Sequence, residues 1–219
     1  MKIILMQGDK FVNKKGCVIV RFRRAKGVKT IERLYRKINA SDYAKDYVEV
    51  ERFLECCKQC PNYNTKWSCP PYDFDVMERY WNNYKYLHLF AVKVTLADDI
   101  ADSVMTPEQI NDLVMRIRHQ NYMLASRWIF ELEKENPGSV ALDGGHCDKC
   151  KRCTRAKGLP CRYGKEIHPA IDAIGGNLVK TAEEIFGTKI LWIENGKVPE
   201  YFLFIVGLLS NEENIKEDF

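Results

Sequence analysis

The chain has 219 residues, 46% of them apolar, and a formal net charge of +4. That is the size and composition of one large globular domain, or of a domain with an appendage, and it excludes a disordered or fibrous chain. The opening apolar run ends at Gln7-Gly8-Asp9 without reading as a signal peptide, and the longest apolar stretch, 201–209, falls far short of the ~20 residues a membrane span needs. A soluble, cytoplasmic protein with no membrane partner is expected, and its nine cysteines are then expected as ligands rather than as disulfides.

The charge is unevenly spread. Residues 1–40 carry twelve Lys or Arg against two acids, a net of +10, whereas the rest of the chain is net −6. We therefore divide the chain into a basic N-terminal extension, 1–40, and a cysteine-rich metal-binding domain, 41–219. A basic arm on an acidic body suits an acidic protein surface, or nucleic acid. It is equally the signature of a hairpin edge kept soluble by lysines. No nucleic-acid fold signature accompanies the arm, which ranks a protein partner ahead of nucleic acid.

In chain order, residues 2–6 and 17–22 read as short strands, with Cys17 a packed thiol. Ile31, Leu34, Tyr35 and Ile38 recur at helical spacing, and a polar connector carrying Val48, Val50 and Phe53 follows. Asp73 and Asp75 are candidate caps for a helix bearing Val76, Met77, Tyr80, Trp81 and Tyr84. Residues 86–96 predict a long buried strand, in which His88 reads as a satisfied core histidine. Thr106, Pro107 and Gln109 form a capping box for a helix whose apolar stripe runs through Ile110, Leu113, Val114, Ile117, Leu124, Trp128 and Leu132. A short strand at 139–142, a helix over 178–186 stopped by Gly187, and a hairpin of 190–193 with 201–209 complete the expected elements. Pro199 places the start of the last strand after it, and the final ten residues are expected to fray. Together these give an α/β chain: an α+β mixed sheet flanked by helices, with two cysteine-rich metal-binding loops.

The first of those loops holds Cys56-Cys57-Lys58-Gln59-Cys60-Pro61-Asn62-Tyr63 and then Trp67-Ser68-Cys69-Pro70-Pro71-Tyr72. Adjacent side chains point different ways in a helix or strand, so one of Cys56 and Cys57 is expected to face a site shared with Cys60 and Cys69. The prolines forbid a helix through the loop. Tyr63, Trp67 and Tyr72 are either a screen against water or ordinary core aromatics.

The second loop carries more specific chemistry. Cys147, Cys150 and Cys153 stand at C-x2-C-x2-C, with Cys161 eight residues on, close to the ligand run of a bacterial ferredoxin. Two-residue spacers curl the backbone so that successive thiolates face one centre and backbone N–H groups point at the sulfurs. Gly144, Gly145 and Gly158 supply backbone freedom for that curl. A [4Fe–4S] cluster, one or two in the chain, is the cofactor this spacing favours. The local set is Cys147, Cys150, Cys153 and Cys161, and a second is formed by Cys57, Cys60 and Cys69, with Cys56, another side chain or an exogenous ligand in fourth place. Zinc is the alternative, since four thiolates also suit a structural zinc site, although such sites more often split into two C-x2-C pairs. Four buried cysteines acting only as small hydrophobes do not fit so polar a stretch.

These motifs together resemble a family of archaeal and bacterial proteins described only as predicted metal-binding. The residues that carry the likeness are Cys60-Pro61-Asn62-Tyr63, Cys69-Pro70-Pro71-Tyr72, Tyr84-Lys85-Tyr86-Leu87, the cysteine triplet with Pro160-Cys161-Arg162, and His168-Pro169-Ala170-Ile171-Asp172-Ala173. The likeness spans 42–187. The family's last motif more often reads Arg-Pro-Ser with a glutamate, so Ala170 and Asp172 depart from it. The family implies no reaction, and function rests on the sites. They favour an iron–sulfur protein of anaerobic metabolism, passing electrons to or within a larger enzyme system through a redox or enzyme-complex partner. The alternative is a zinc-stapled module that contacts protein or nucleic acid through its basic arm. A variant of the first reading, an enzyme with one iron open to substrate, leaves the question of catalysis undecided.

Overall fold

The computed structural model describes residues 10–12, 18–20, 27–101, 103–119, 123–164 and 167–216. The strand expected at 2–6 and the thiol of Cys17 lie outside them. The described strands are β1 (Lys10–Val12), β2 (Val18–Val20), β3 (Val28–Asn39), β4 (Tyr86–Leu96), β5 (Val140–Leu142) and β6 (Tyr201–Ser210). They form one sheet in the order β1-β2-β3-β4-β6-β5. Every ladder between them is antiparallel. The α+β architecture expected from the sequence is what is found, with the sheet antiparallel in its named ladders.

β4 is the axis of the molecule. It pairs along its length with β3 on one side and β6 on the other. Both of its faces are covered, which is why it reads as a nearly unbroken apolar run. Leu87, Leu89 and Ala91 pack with Tyr43, Trp81, Ile171, Ile174 and Leu209 on one face. Phe90, Val92, Val94 and Leu96 pack with Leu113, Ile117, Ile129 and Leu132 on the other. His88 is buried as expected, with its Nδ1 2.8 Å from the Tyr35 hydroxyl and its Nε2 3.1 Å from the Glu212 carbonyl.

The expected helix around residues 31–38 is instead β3. Ile31 and Tyr35 pack against one core and Leu34 and Ile38 against the other. A strand covered on both faces places odd and even residues alternately in two cores, and the pattern 31, 34, 35, 38 satisfies that as well as a helical stripe. Residues 28–39 of the basic stretch thus belong to the sheet, and several of its cations are engaged there. Lys29 pairs with Asp98 at 2.9 Å, Lys37 pairs with Glu213 at 2.9 Å, and Arg33 lies 4.8 Å over the Trp128 ring.

The polar connector expected after residue 41 is two short helices, α1 (Ala40–Tyr47) and α2 (Val50–Lys58). Asp75 does cap, its Oδ1 accepting from Met77 N at 2.7 Å, but the helix it starts is a single wide turn, Met77–Trp81. After α3 (Asp98–Ala101), the long stripe expected as one helix is two, α4 (Pro107–Ile117) and α5 (Met123–Glu135). The Thr106–Gln109 capping box opens α4 as expected. The helix expected at 178–186 is a short turn, Leu178–Lys180, continued by a wide one, Thr181–Ile185.

The hairpin expected from 190–193 does not form. β6 takes β4 and β5 as partners, and Trp192 is left 64% exposed. Nor is the described part of the tail loose: Glu213 pairs with Lys37, and Lys216 N donates to Asn136 Oδ1 at 2.8 Å.

Candidate metal centre

Both cysteine loops leave the same end of the structure. The early loop begins in the last turn of α2, where Cys56 and Cys57 sit on different sides of the helix. Cys56 is exposed and Cys57 half-buried. Cys57 feels the charges of Asp172, Cys69, Cys60 and Cys56, whereas Arg52 stands near Cys56. Burial, then Asp172, then the neighbouring thiols push the Cys57 thiol up to about 11. Burial likewise raises Cys69, with the Ser68 hydrogen bond opposing it.

Beyond α2 the chain descends in turns, Cys60 N donating to Cys57 O at 2.9 Å and Cys69 N to Lys66 O at 3.1 Å. Asp172 comes from the segment that packs under α2, where Gly175, at φ +92°, leaves no room for a Cβ, which would stand 2.8 Å from Val50 Cα. Asp172 is half-buried, and burial pushes its carboxyl upward.

The late loop leaves β5 through Asp143, whose Oδ1 accepts from Ser126 Oγ at 2.5 Å and from Gly144 N at 2.8 Å. Cys147, Cys150, Cys153 and Cys161 then line a single small cavity of about 20 Å³, together with Trp67, Ser68, Thr154, Tyr163 and Ile167. Gly158 takes the left-handed conformation, φ +65°, that ends the short helix Thr154–Lys157 and turns the chain back toward Cys161. Burial raises the Cys147 thiol, the Lys149 backbone N–H and ammonium draw it down, and Cys150 and Cys161 push it up again.

The structure also brings the two loops together, which sequence spacing does not reveal. Ser68, almost fully buried, accepts from Cys147 N at 2.9 Å, which leaves its own hydrogen for Cys69 Sγ at 3.8 Å. A single hydroxyl thus touches one candidate site through a thiol and the other through its backbone. Arg155 donates to the carbonyls of Lys66 (3.0 Å), Cys69 (2.5 Å) and Pro71, and lies 5.0 Å over the Trp67 ring. Trp67 Nε1 in turn donates to Leu159 O at 3.1 Å.

His146 closes the seam. Its Nε2 donates to Asp148 Oδ1 at 2.9 Å, while Asn62 and Arg118 approach Nδ1 at 3.3 and 3.4 Å. Burial lowers its pKa, with Asp148 opposing. Ser68, Arg155 and His146 were not among the residues singled out from the sequence. Ser68 and His146 each stand next to a cysteine, the one local signal that could have found them, whereas Arg155 carried none.

A family model described as predicted metal-binding protein (DUF2284) matches residues 38–207. The chain belongs to that family. No curated protein and no solved structure matches it. For a DUF2284 protein, the metal-binding description agrees with a donor set of eight described cysteines, all free thiols. Four soft donors around one cavity, and three more clustered beside it, suit a thiophilic metal. Among the described residues no three thiol, imidazole or carboxylate groups already stand as ligands around one point. Ligation therefore requires the thiols to turn inward and lose their protons, against the burial that raises Cys57, Cys69 and Cys147. A bound cation supplies the charge that reverses that balance. Among the described residues no helix is long and apolar enough to cross a membrane.

Proposed function

We propose that this DUF2284 protein is a cytoplasmic iron–sulfur protein that passes electrons to or within a larger enzyme system. Cys147, Cys150, Cys153 and Cys161 hold one [4Fe–4S] cluster. Cys57, Cys60 and Cys69 hold a second, with Cys56, another side chain or an exogenous ligand completing it. The observation that carries this reading is the single cavity lined by the four late cysteines, whose C-x2-C-x2-C spacing is of the ferredoxin kind.

The clusters supply one-electron redox chemistry when bound, and the chain's residues supply its setting. Trp67 and Tyr163 wall the late thiols and limit water there, which tunes potential. Ser68 keeps the two sites in contact, the arrangement electron passage between them needs. The basic arm docks an acidic redox or enzyme-complex partner, with nucleic acid the lesser candidate. Duplex DNA binding with a steep salt dependence, lost on deleting residues 1–26, reverses that ranking.

A second reading, a zinc staple that orders a binding module, rests on the same four thiolates, which also suit a structural zinc site. Anaerobic purification from iron-replete cells separates the two. A brown protein containing iron and acid-labile sulfide is expected, whereas stoichiometric zinc without sulfide assigns the staple.

A further inference from the structure

A second cavity, of about 670 Å³, lies against the four-cysteine cavity, and Trp67 and Ile167 line both. Its volume falls within the ~300–1,000 Å³ of small-molecule sites. One wall is aromatic: Tyr72 stacks on Phe74 with ring centroids 4.9 Å apart, and Tyr80 meets the edge of Phe74 at 6.1 Å.

The opposite chemistry comes from Glu133 and His168. Glu133 accepts from Ala141 N at 2.9 Å and from His168 Nε2 at 2.8 Å. A carboxylate only accepts, so the imidazole hydrogen lies on Nε2. The His168 side chain is 8% exposed, and its Nδ1 has no hydrogen-bond partner among the described residues. The ring, stacked 4.5 Å from Phe130, is thus committed to fixing the Glu133 carboxylate on the cavity wall. An orphaned buried nitrogen is costly, and a purely structural carboxylate does not call for it. Burial pushes the Glu133 carboxyl up, but the His168 hydrogen bond, the Ala141 N–H and the Lys149 charge outweigh it and hold the group below the usual range.

The third component is a cation. Arg155 also lines the cavity, but its guanidinium is engaged by the carbonyls of the early loop. Arg79 is different: it is exposed, stacked 4.2 Å over the Phe74 ring and hydrogen-bonded to the neutral Tyr80 hydroxyl, and it has no ion pair among the described residues. Tyr84 lines the cavity with both charged groups. Burial and Glu133 push its hydroxyl up and Arg79 draws it down, so both charges reach the same side chain.

We propose that this cavity binds a small aromatic molecule with an anionic group at Arg79 and a hydrogen-bond donor at Glu133, its ring against Tyr72 and Phe74. A mononucleotide and an aromatic amino acid share that chemistry. Calorimetric titration of the full chain, as purified, with AMP and with L-tyrosine distinguishes them. Saturable binding of at least one is expected, and which one saturates assigns the class. Arg79→Gln and Glu133→Gln are each expected to weaken it about ten-fold or more, as removal of a charged hydrogen-bond partner does. Arg79 is exposed and its replacement leaves the fold intact, so it remains decisive should Glu133→Gln fail to fold. No saturation by either probe, or an affinity unchanged in Arg79→Gln, overturns the proposal.

Discussion

β4 and the loop from Cys147 to Cys161 are held in place by opposite means. β4 is paired on both edges and covered on both faces by apolar side chains. Of residues 147–161, only Thr154 is buried, and the loop is fixed by hydrogen bonds to a second loop just as polar. Apolar burial is non-directional and tolerates small shifts, whereas a polar seam is only as strong as its weakest satisfied group. The sheet is therefore expected to form without a cofactor, and the seam is where metal binding is expected to couple to folding.

The largest expected effect is on the sheet side. Leu89 is fully buried at the centre of β4. Leu89→Ala is expected to cost about 2–5 kcal/mol, read as a shift of the denaturant midpoint with unchanged slope. A loss well below that range means the core collapses around the gap, and the contrast with the loops weakens. Cys150→Ala comes next. It is expected to remove about half the iron, taking two ferredoxin-type cubanes as reference, to lower the melting temperature and to make 147–161 protease-sensitive. Unchanged iron and melting behaviour would show that Cys150 is not a ligand.

Arg155→Met tests the seam without touching a thiol. It leaves the carbonyls of Lys66, Cys69 and Pro71 without their donor, a cost of about 1 kcal/mol because water can partly replace the donor at these part-buried and exposed groups. Hydrogen exchange is expected to quicken in 60–72 and 147–161 and to stay unchanged in β4 and β6. Uniform acceleration across the sheet means the loops and the core are one cooperative unit.

The same contrast explains what the sequence made legible. β4 was readable because burial on both faces leaves an apolar signature in consecutive residues, and the start of α4 because a capping box is local. β3 was misread because its two faces, Ile31 with Tyr35 and Leu34 with Ile38, superimpose into a helical stripe. The strand at 190–193 was expected from a local turn, Asn195-Gly196, but β6 finds its partners in β4 and β5, far away in the chain. At the site, the cysteine spacing is local and pointed to metal. The meeting of the loops through Ser68 and Arg155, and of Glu133 with His168, depends on side chains 35 to 89 residues apart, a relation that one sequence does not print.

The smallest expected effect concerns His88, where the core contains a titratable group. The Glu212 carbonyl can only accept, so Nε2 carries the hydrogen and Nδ1 accepts from Tyr35: the neutral ring is fully satisfied. Burial lowers its pKa, the Glu212 hydrogen bond opposing and Lys37 assisting. A folded-state pKa below the unfolded one means that the unfolded chain binds the proton more readily. The stabilisation is therefore present in full above the unfolded histidine range, about 6.5, and is lost as pH falls through the folded value. Gln at this position can donate and accept as the ring does but does not titrate. His88→Gln is thus expected to flatten the fall in melting temperature between pH 7 and pH 5, with little change at pH 7. If the two proteins lose stability in parallel, the acid sensitivity belongs to the polar seam and its carboxylates, and the core of β4 is indifferent to pH.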